Sequence, residues 1–125
     1  RGCPHHCGFC YIESVHGSRW RSIEAAGCVA RIMAIIRRFG VDGISFREDN
    51  FFVRRARVEA IARALIDEKI GIKWTASCRI NYAAHYTPDF LALLRESGRL
   101  GSRARFCPKG YYGRTGIGRC AQNDG

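Results

Sequence analysis

The sequence lacks the features of a membrane-spanning or secreted chain. It contains no stretch of about 18 consecutive apolar residues, the minimum for a transmembrane helix, so we expect no membrane span. No apolar segment of the signal-peptide kind follows Arg1. The only methionine is Met33, which predicts that the chain begins inside a longer reading frame. We therefore expect a cytoplasmic location, where closely spaced cysteines bind metal more often than they form disulfides.

Acidic side chains are also scarce. The chain of 125 residues has 11 Asp and Glu against 21 Lys and Arg, which gives a formal net charge of +10. Residues 1–94 carry 14 basic and 9 acidic side chains, whereas the last 31 residues carry 7 and 2, together with half of the 14 glycines. Half of the excess charge thus lies in this last part, and the other half is spread over a surface of mixed charge. We therefore expect no nucleic-acid partner.

The apolar residues, 46% of the chain, alternate between helical and extended patterns. Three helices are predicted from their start and stop signals: residues 22–39 with Ser22 as N-cap and Gly40 as the end, residues 54–69, and residues 88–97 with Thr87 as N-cap. Two strands are predicted between them, a buried one at residues 43–46 and a second at residues 72–77. Such alternation requires crossover connections, so we predict an α/β fold with a parallel sheet and outer helices.

Three polar segments are predicted to meet at one edge of this sheet. The loop of residues 3–11 precedes the first helix, residues 47–50 follow the first strand, and residues 77–79 end the second. Ligands of parallel α/β sheets bind beyond the carboxyl ends of the strands. The sequence therefore predicts a ligand site at this edge.

The pattern ends at Gly98. Residues 99–125 show neither helical nor strand periodicity and are rich in Gly and Arg. We predict an irregular tail there, either disordered or read in a shifted frame. The chain is thus divided into residues 1–98 and residues 99–125.

The strongest chemical feature is the segment CPHHCGFC at residues 3–10, where Cys3, Cys7 and Cys10 follow C-x3-C-x2-C spacing. Thiolates grouped in this way select zinc or iron-sulfur clusters. A structural zinc ion would need a fourth ligand, which His5 or His6 would supply. A 4Fe–4S cluster on three thiolates would instead leave one iron open to a further ligand. The spacing alone leaves both alternatives open.

The segment RGCPHHCGFCY at residues 1–11 resembles the cluster-binding loop of the radical S-adenosylmethionine (radical SAM) superfamily, whose motif is C-x3-C-x-aromatic-C. Blocks at residues 43–52, 74–79 and 91–98 are similar to the subgroup in which a cobalamin-binding domain precedes the radical SAM domain. The resemblance implies a partial (β/α) barrel of the radical SAM type, incomplete at both ends, with residues 1–98 as the N-terminal part of the core domain. It also implies that this chain alone is inactive.

The resemblance assigns ligands for a 4Fe–4S cluster and for SAM. Cys3, Cys7 and Cys10 would each bind one iron, and the amine and carboxylate of SAM would chelate the fourth. Phe9, the aromatic residue before the last cysteine, would lie near the SAM adenine.

Four further residues are expected to contact SAM. Glu48, Asp49 and Asn50 occupy the place where the superfamily often has Gly-Gly-Glu, so an acid here would accept a hydrogen bond from the SAM amine. Arg79 would pair with the SAM carboxylate or with substrate. An ammonium needs a carboxylate and a carboxylate needs a guanidinium, and both groups occur on the predicted ligand edge. The structural alternatives are a solvated turn for the two acids and an ion pair for Arg79.

The function implied is reductive cleavage of SAM to methionine and a 5'-deoxyadenosyl radical that acts on a small-molecule substrate. The electron would come from a donor such as a ferredoxin or flavodoxin. Cobalamin, bound by a domain outside this chain, would direct the reaction to methyl transfer or rearrangement. Two alternatives are an RNA-modifying radical SAM methylthiotransferase, which shares the cysteine spacing, and a non-enzymatic zinc module that binds nucleic acid through the Arg-rich tail.

Overall fold

The described part of the chain forms a three-stranded parallel sheet with helices between the strands. The computed structural model describes residues 1–8 and 10–105. Within these ranges the elements are, in chain order, α1 (Ile12–His16), α2 (Ala25–Phe39), β1 (Gly43–Phe46), a short 3-10 helix (Phe51–Val53), α3 (Arg55–Asp67), β2 (Lys73–Arg79), α4 (Ile80–Ala83), α5 (Pro88–Glu96) and β3 (Arg99–Arg105).

The strand order is β1-β2-β3 and all neighbours are parallel. β1 pairs with β2 from Gly43 opposite Lys73, and β2 pairs with β3 from Trp74 opposite Arg99. The predicted α/β fold with a parallel sheet is therefore confirmed. A barrel of the radical SAM type stays a prediction.

The two faces of the sheet differ in polarity. Along β2 the alternate residues Trp74, Ala76 and Cys78 are buried, whereas Thr75 and Ser77 between them are partly exposed. The buried face packs against an apolar core from the 3-10 helix and from helices α2, α3 and α5, whose main members are Ile32, Phe51, Phe52, Val58, Ile61, Leu65, Phe90 and Leu94. Trp74 donates its indole N–H to the carbonyl oxygen of Ser97 at 3.0 Å. The helix layer therefore fixes β2 in place and leaves the other face polar.

The helix ends follow the predicted signals in most places. Gly40 ends α2 with a φ of 61°, and Thr87 caps α5 by accepting a hydrogen bond from the Phe90 amide at 3.3 Å. The predicted N-cap at Ser22 is wrong, because α2 begins at Ala25 with Glu24 in the cap position. The carbonyl of Ile23 instead accepts a hydrogen bond from Arg57 Nε at 2.9 Å, which holds this backbone outside the helix.

Two predictions about the strands need correction. β1 is not buried, because its side chains alternate between exposed and half-buried at one edge of the sheet. The predicted irregular tail begins with a regular strand, since residues 99–105 form β3 beside β2. Main-chain hydrogen bonds to β2 define this strand, and they need no apolar period in its sequence. The rest of the predicted tail, residues 106–125, lies outside the described residues.

Gly98 makes the connection from α5 to β3. Its φ is +90°, and a Cβ at this position would collide with the carbonyl oxygen of Ile72. Only glycine combines this backbone conformation with such a close approach. Gly98 therefore brings β3 alongside the start of β2.

None of the helices in residues 1–8 and 10–105 has the length and apolar character needed to cross a membrane.

Candidate metal and cofactor site

The cysteine loop is attached to the segment that follows β1. The Gly2 amide donates a hydrogen bond to Asp49 Oδ2 at 2.9 Å. Gly2 has a φ of +82°, and a Cβ there would collide with the carbonyl oxygen of Arg19. The Arg21 amide in turn donates to the carbonyl of Arg1 at 2.9 Å. The start of the loop is therefore held by a close backbone contact between Gly2 and Arg19 and by the hydrogen bond from Gly2 to Asp49.

The end of β2 holds the middle of the loop. Arg79 Nη1 donates to Cys7 Sγ at 3.0 Å, and Arg79 Nε donates to Asn81 Oδ1 at 3.2 Å. Cys7 is buried, and its carbonyl accepts a hydrogen bond from the Cys10 amide at 2.8 Å, which forms a turn between the two cysteines. The last side chain of β2 thus contacts one of the three predicted metal ligands directly.

Tyr82, in α4, makes a third contact with the loop. Its hydroxyl and His5 Nε2 are 2.7 Å apart and share a hydrogen bond, with the two rings edge to face. Burial lowers the pKa of His5, and the nearby charge of Arg79 lowers it further. The three polar segments that the sequence places at the carboxyl edge therefore meet there, and Tyr82 joins them.

The three cysteines are free thiols, Cys7 buried and the other two half-buried. No group of three or more His, Cys, Asp or Glu side chains in the described ranges is arranged around a single metal ion. The two candidate histidine ligands are engaged elsewhere, since His6 Nδ1 lies 2.6 Å from Glu13 Oε1 and His5 contacts Tyr82. In a 4Fe–4S cluster each cysteine binds a different iron, so the thiols need not surround one ion.

The two adjacent acids have different partners. Glu48 Oε1 accepts from Arg57 Nη2 at 2.9 Å, and the Arg57 side chain is only 1% exposed. This ion pair belongs to the helix layer, because Arg57 lies in α3 and also bonds the segment before α2. Asp49, in contrast, faces the cysteine loop through Gly2. Of the two predicted acids, the structure brings Asp49 to the loop and holds Glu48 in a structural ion pair.

Asn50 is buried beside the same site. It is 1% exposed, and neither its Nδ2 nor its Oδ1 has a hydrogen-bond partner among the residues described. The Tyr82 hydroxyl lies close to this amide but outside hydrogen-bond geometry. Burial, first of all, and the negative charge of a Cys3 thiolate raise the pKa of Tyr82, whereas the charge of Arg79 and the nearby Asn50 amide lower it. An unpaired buried amide destabilises a fold by about 1–3 kcal/mol, so this group is suited to a ligand that pairs with it.

Phe9 lies outside the described residues, so its contact with the SAM adenine stays a prediction.

Tyr82 was not among the predicted site residues, although it follows Arg79 by three positions and so lies one helical turn beyond the ligand edge. That position after β2 is the signal that could have identified it.

Sequence similarity links the chain to an archaeal protein. No protein-family model matches the chain. Over 81 residues, 65% of this chain, it is 32% identical to an uncharacterized methyltransferase of Pyrococcus horikoshii. The match covers 18% of that protein, so the chain spans less than a fifth of the length of its relative.

Proposed function

We propose that this chain is part of a radical SAM enzyme in which Cys3, Cys7 and Cys10 bind a 4Fe–4S cluster. The observation that carries the proposal is the attachment of a loop with three free thiols to the carboxyl edge of a parallel sheet, through Asp49 and Arg79. The chemistry of the donor set fits the cluster, because thiolates are its protein ligands and a guanidinium offsets their negative charge. The fold in this proposal is a partial (β/α) barrel.

The residues around the loop would bind SAM. Asp49 is the acid for the SAM amine, because one bond to the Gly2 amide does not saturate a carboxylate, which has two oxygens. The Asn50 amide offers one donor group and one acceptor beside it. Arg79 has five N–H donors in a planar fork, so it can serve a sulfur and a carboxylate together. Phe9 is assigned to the adenine from its place in the cysteine motif alone.

The reaction is methyl transfer to a small-molecule substrate. The similar protein of Pyrococcus horikoshii is called an uncharacterized methyltransferase, and this supports methyl transfer over rearrangement. When bound and reduced by a ferredoxin or flavodoxin, the cluster supplies the electron for reductive cleavage of SAM. The protein's own part is to orient SAM through Asp49 and Arg79 and to keep Cys7 away from water. Cobalamin, held by a domain outside this chain, would carry a methyl group taken from a second SAM molecule, because the SAM that is cleaved keeps its methyl group on methionine.

The test is anaerobic reconstitution of the whole protein with iron and sulfide. We expect equal amounts of bound iron and sulfide, a SAM-dependent change in the electron paramagnetic resonance (EPR) spectrum of the reduced cluster, and formation of 5'-deoxyadenosine. Replacing Cys3, Cys7 and Cys10 by Ala should abolish iron uptake. Cys28→Ala is the matched control, because Cys28 is buried in α2 within the core, and it should retain iron. One bound zinc without iron uptake would refute the proposal.

A further inference from the structure

The contact between Arg79 and Cys7 indicates a role that differs from SAM binding. We propose that Arg79 sets the reduction potential of the cluster through its hydrogen bond to Cys7 Sγ. This inference rests on the proposed function. The bond is 3.0 Å long, and Cys7 is 8% exposed, so water competes little for the sulfur.

The physical basis is the charge on the ligand sulfur. A donor N–H withdraws electron density from a thiolate, and hydrogen bonds to the sulfurs are among the factors that set iron-sulfur potentials. The guanidinium also brings a positive charge close to a centre that gains an electron on reduction, and burial of Cys7 keeps this interaction poorly screened. Both effects stabilise the reduced cluster. Removing Arg79 should therefore make the midpoint potential more negative.

The fold holds the guanidinium in this orientation. Arg79 is the last residue of β2, and its backbone is extended where α4 begins. Arg79 Nε donates to Asn81 Oδ1 at 3.2 Å while Nη1 reaches the sulfur, so two bonds fix the plane of the fork. A lysine has a single nitrogen and cannot make both contacts in this geometry. Asn81 therefore orients the donor that acts on Cys7.

The experiment is a redox titration of the reconstituted whole protein, followed by the EPR signal of the reduced cluster. It is run without SAM, so any contact of Arg79 with the SAM carboxylate does not enter the measurement. Arg79→Met removes the donor and the charge and keeps an unbranched side chain. At a fixed solution potential we expect the ratio of reduced to oxidised cluster to fall at least about threefold, a shift of roughly 28 mV at 59 mV per tenfold for one electron.

Arg63→Met is the matched control, because Arg63 is exposed on α3 and the same charge is removed. It should leave the potential unchanged. An Arg79→Met protein with full iron content and an unchanged potential would overturn the inference while leaving the proposed function intact. A wild-type protein that takes up no iron would instead refute the proposed function.

If Arg79→Met takes up no iron, Asn81→Ala decides, because it keeps the guanidinium and loosens only its orientation. A smaller negative shift in Asn81→Ala supports the inference. An unchanged potential there overturns it.

Discussion

Replacing Glu48 by alanine tests whether this acid is structural, in contrast to the adjacent Asp49, which we propose binds SAM. Glu48 pairs with Arg57 Nη2 at 2.9 Å, and the side chains are 23% and 1% exposed. Without the carboxylate, the buried guanidinium retains a hydrogen bond to the carbonyl of Ile23 and contacts with the rings of Trp20 and Phe51. These partners carry no full negative charge. Glu48→Ala should therefore destabilise the helix layer.

The size of the effect follows from burial. Removing one partner of a buried ion pair destabilises a protein by 3–5 kcal/mol, and the partial exposure of Glu48 argues for the lower end, about 3 kcal/mol. That is roughly a 100-fold change in the opening equilibrium. Asp49→Ala removes one hydrogen bond at a partly exposed position, worth about 1 kcal/mol or roughly fivefold.

Hydrogen exchange followed by mass spectrometry measures both changes within the whole protein, because it reports each segment separately. Amides of α3 should exchange about 100-fold faster in Glu48→Ala and at most about fivefold faster in Asp49→Ala. Binding of SAM to the reconstituted protein should weaken at least about tenfold in Asp49→Ala, since hydrogen bonds to charged groups contribute about 1.5–3 kcal/mol, and it should stay normal in Glu48→Ala. Equal exchange in the two variants, or loss of SAM binding in Glu48→Ala alone, would refute the reasoning.

Three further predictions concern single positions. Gly98→Ala forces a methyl group against the carbonyl oxygen of Ile72 at positive φ, so it should lower the thermal midpoint of unfolding. Gly17→Ala is the control, because Gly17 also has a positive φ but open space around it, and it should lower the midpoint less. Equal losses would contradict the close approach at Gly98. Gly2→Ala should reduce iron uptake while α3 exchange stays normal, and full uptake would show that the backbone contact is dispensable. Burial raises the pKa of Cys28, so iodoacetamide should modify it more slowly than half-buried Cys10 at neutral pH, as mass spectrometry of the apoprotein would show; equal rates would contradict this.

The helices and the first two strands could be predicted because their signals are local. Gly40 ends α2 through its backbone freedom, and Thr87 begins α5 through its own side chain. Because each signal lies within one residue, the predictions of these two helix ends are confirmed. Ser22 carries the same chemistry, but Arg57 binds the neighbouring backbone from another helix. β3 was missed because its pairing with β2 lies in the main chain, which composition does not reveal.

The site was predictable as a location and less so as a set of contacts. The parallel topology places the loop, the segment after β1 and the end of β2 at one edge, and the structure brings them together there. The different partners of Glu48 and Asp49 depend on the directions in which these adjacent side chains point. They also depend on Arg57, which lies 9 residues from Glu48 in sequence. The partnership of His5 with Tyr82 spans 77 residues, and no local pattern marks it.

Those long separations have a consequence for the order of assembly. The contacts that attach the cysteine loop to the segment after β1, to the end of β2 and to α4 join residues 47, 72 and 77 positions apart. During synthesis the loop emerges well before its partners, and long-range closures form late in folding because of their entropy. We therefore expect the loop to dock only after β1, β2 and α4 have assembled. In this order the candidate site forms late and does not nucleate the fold.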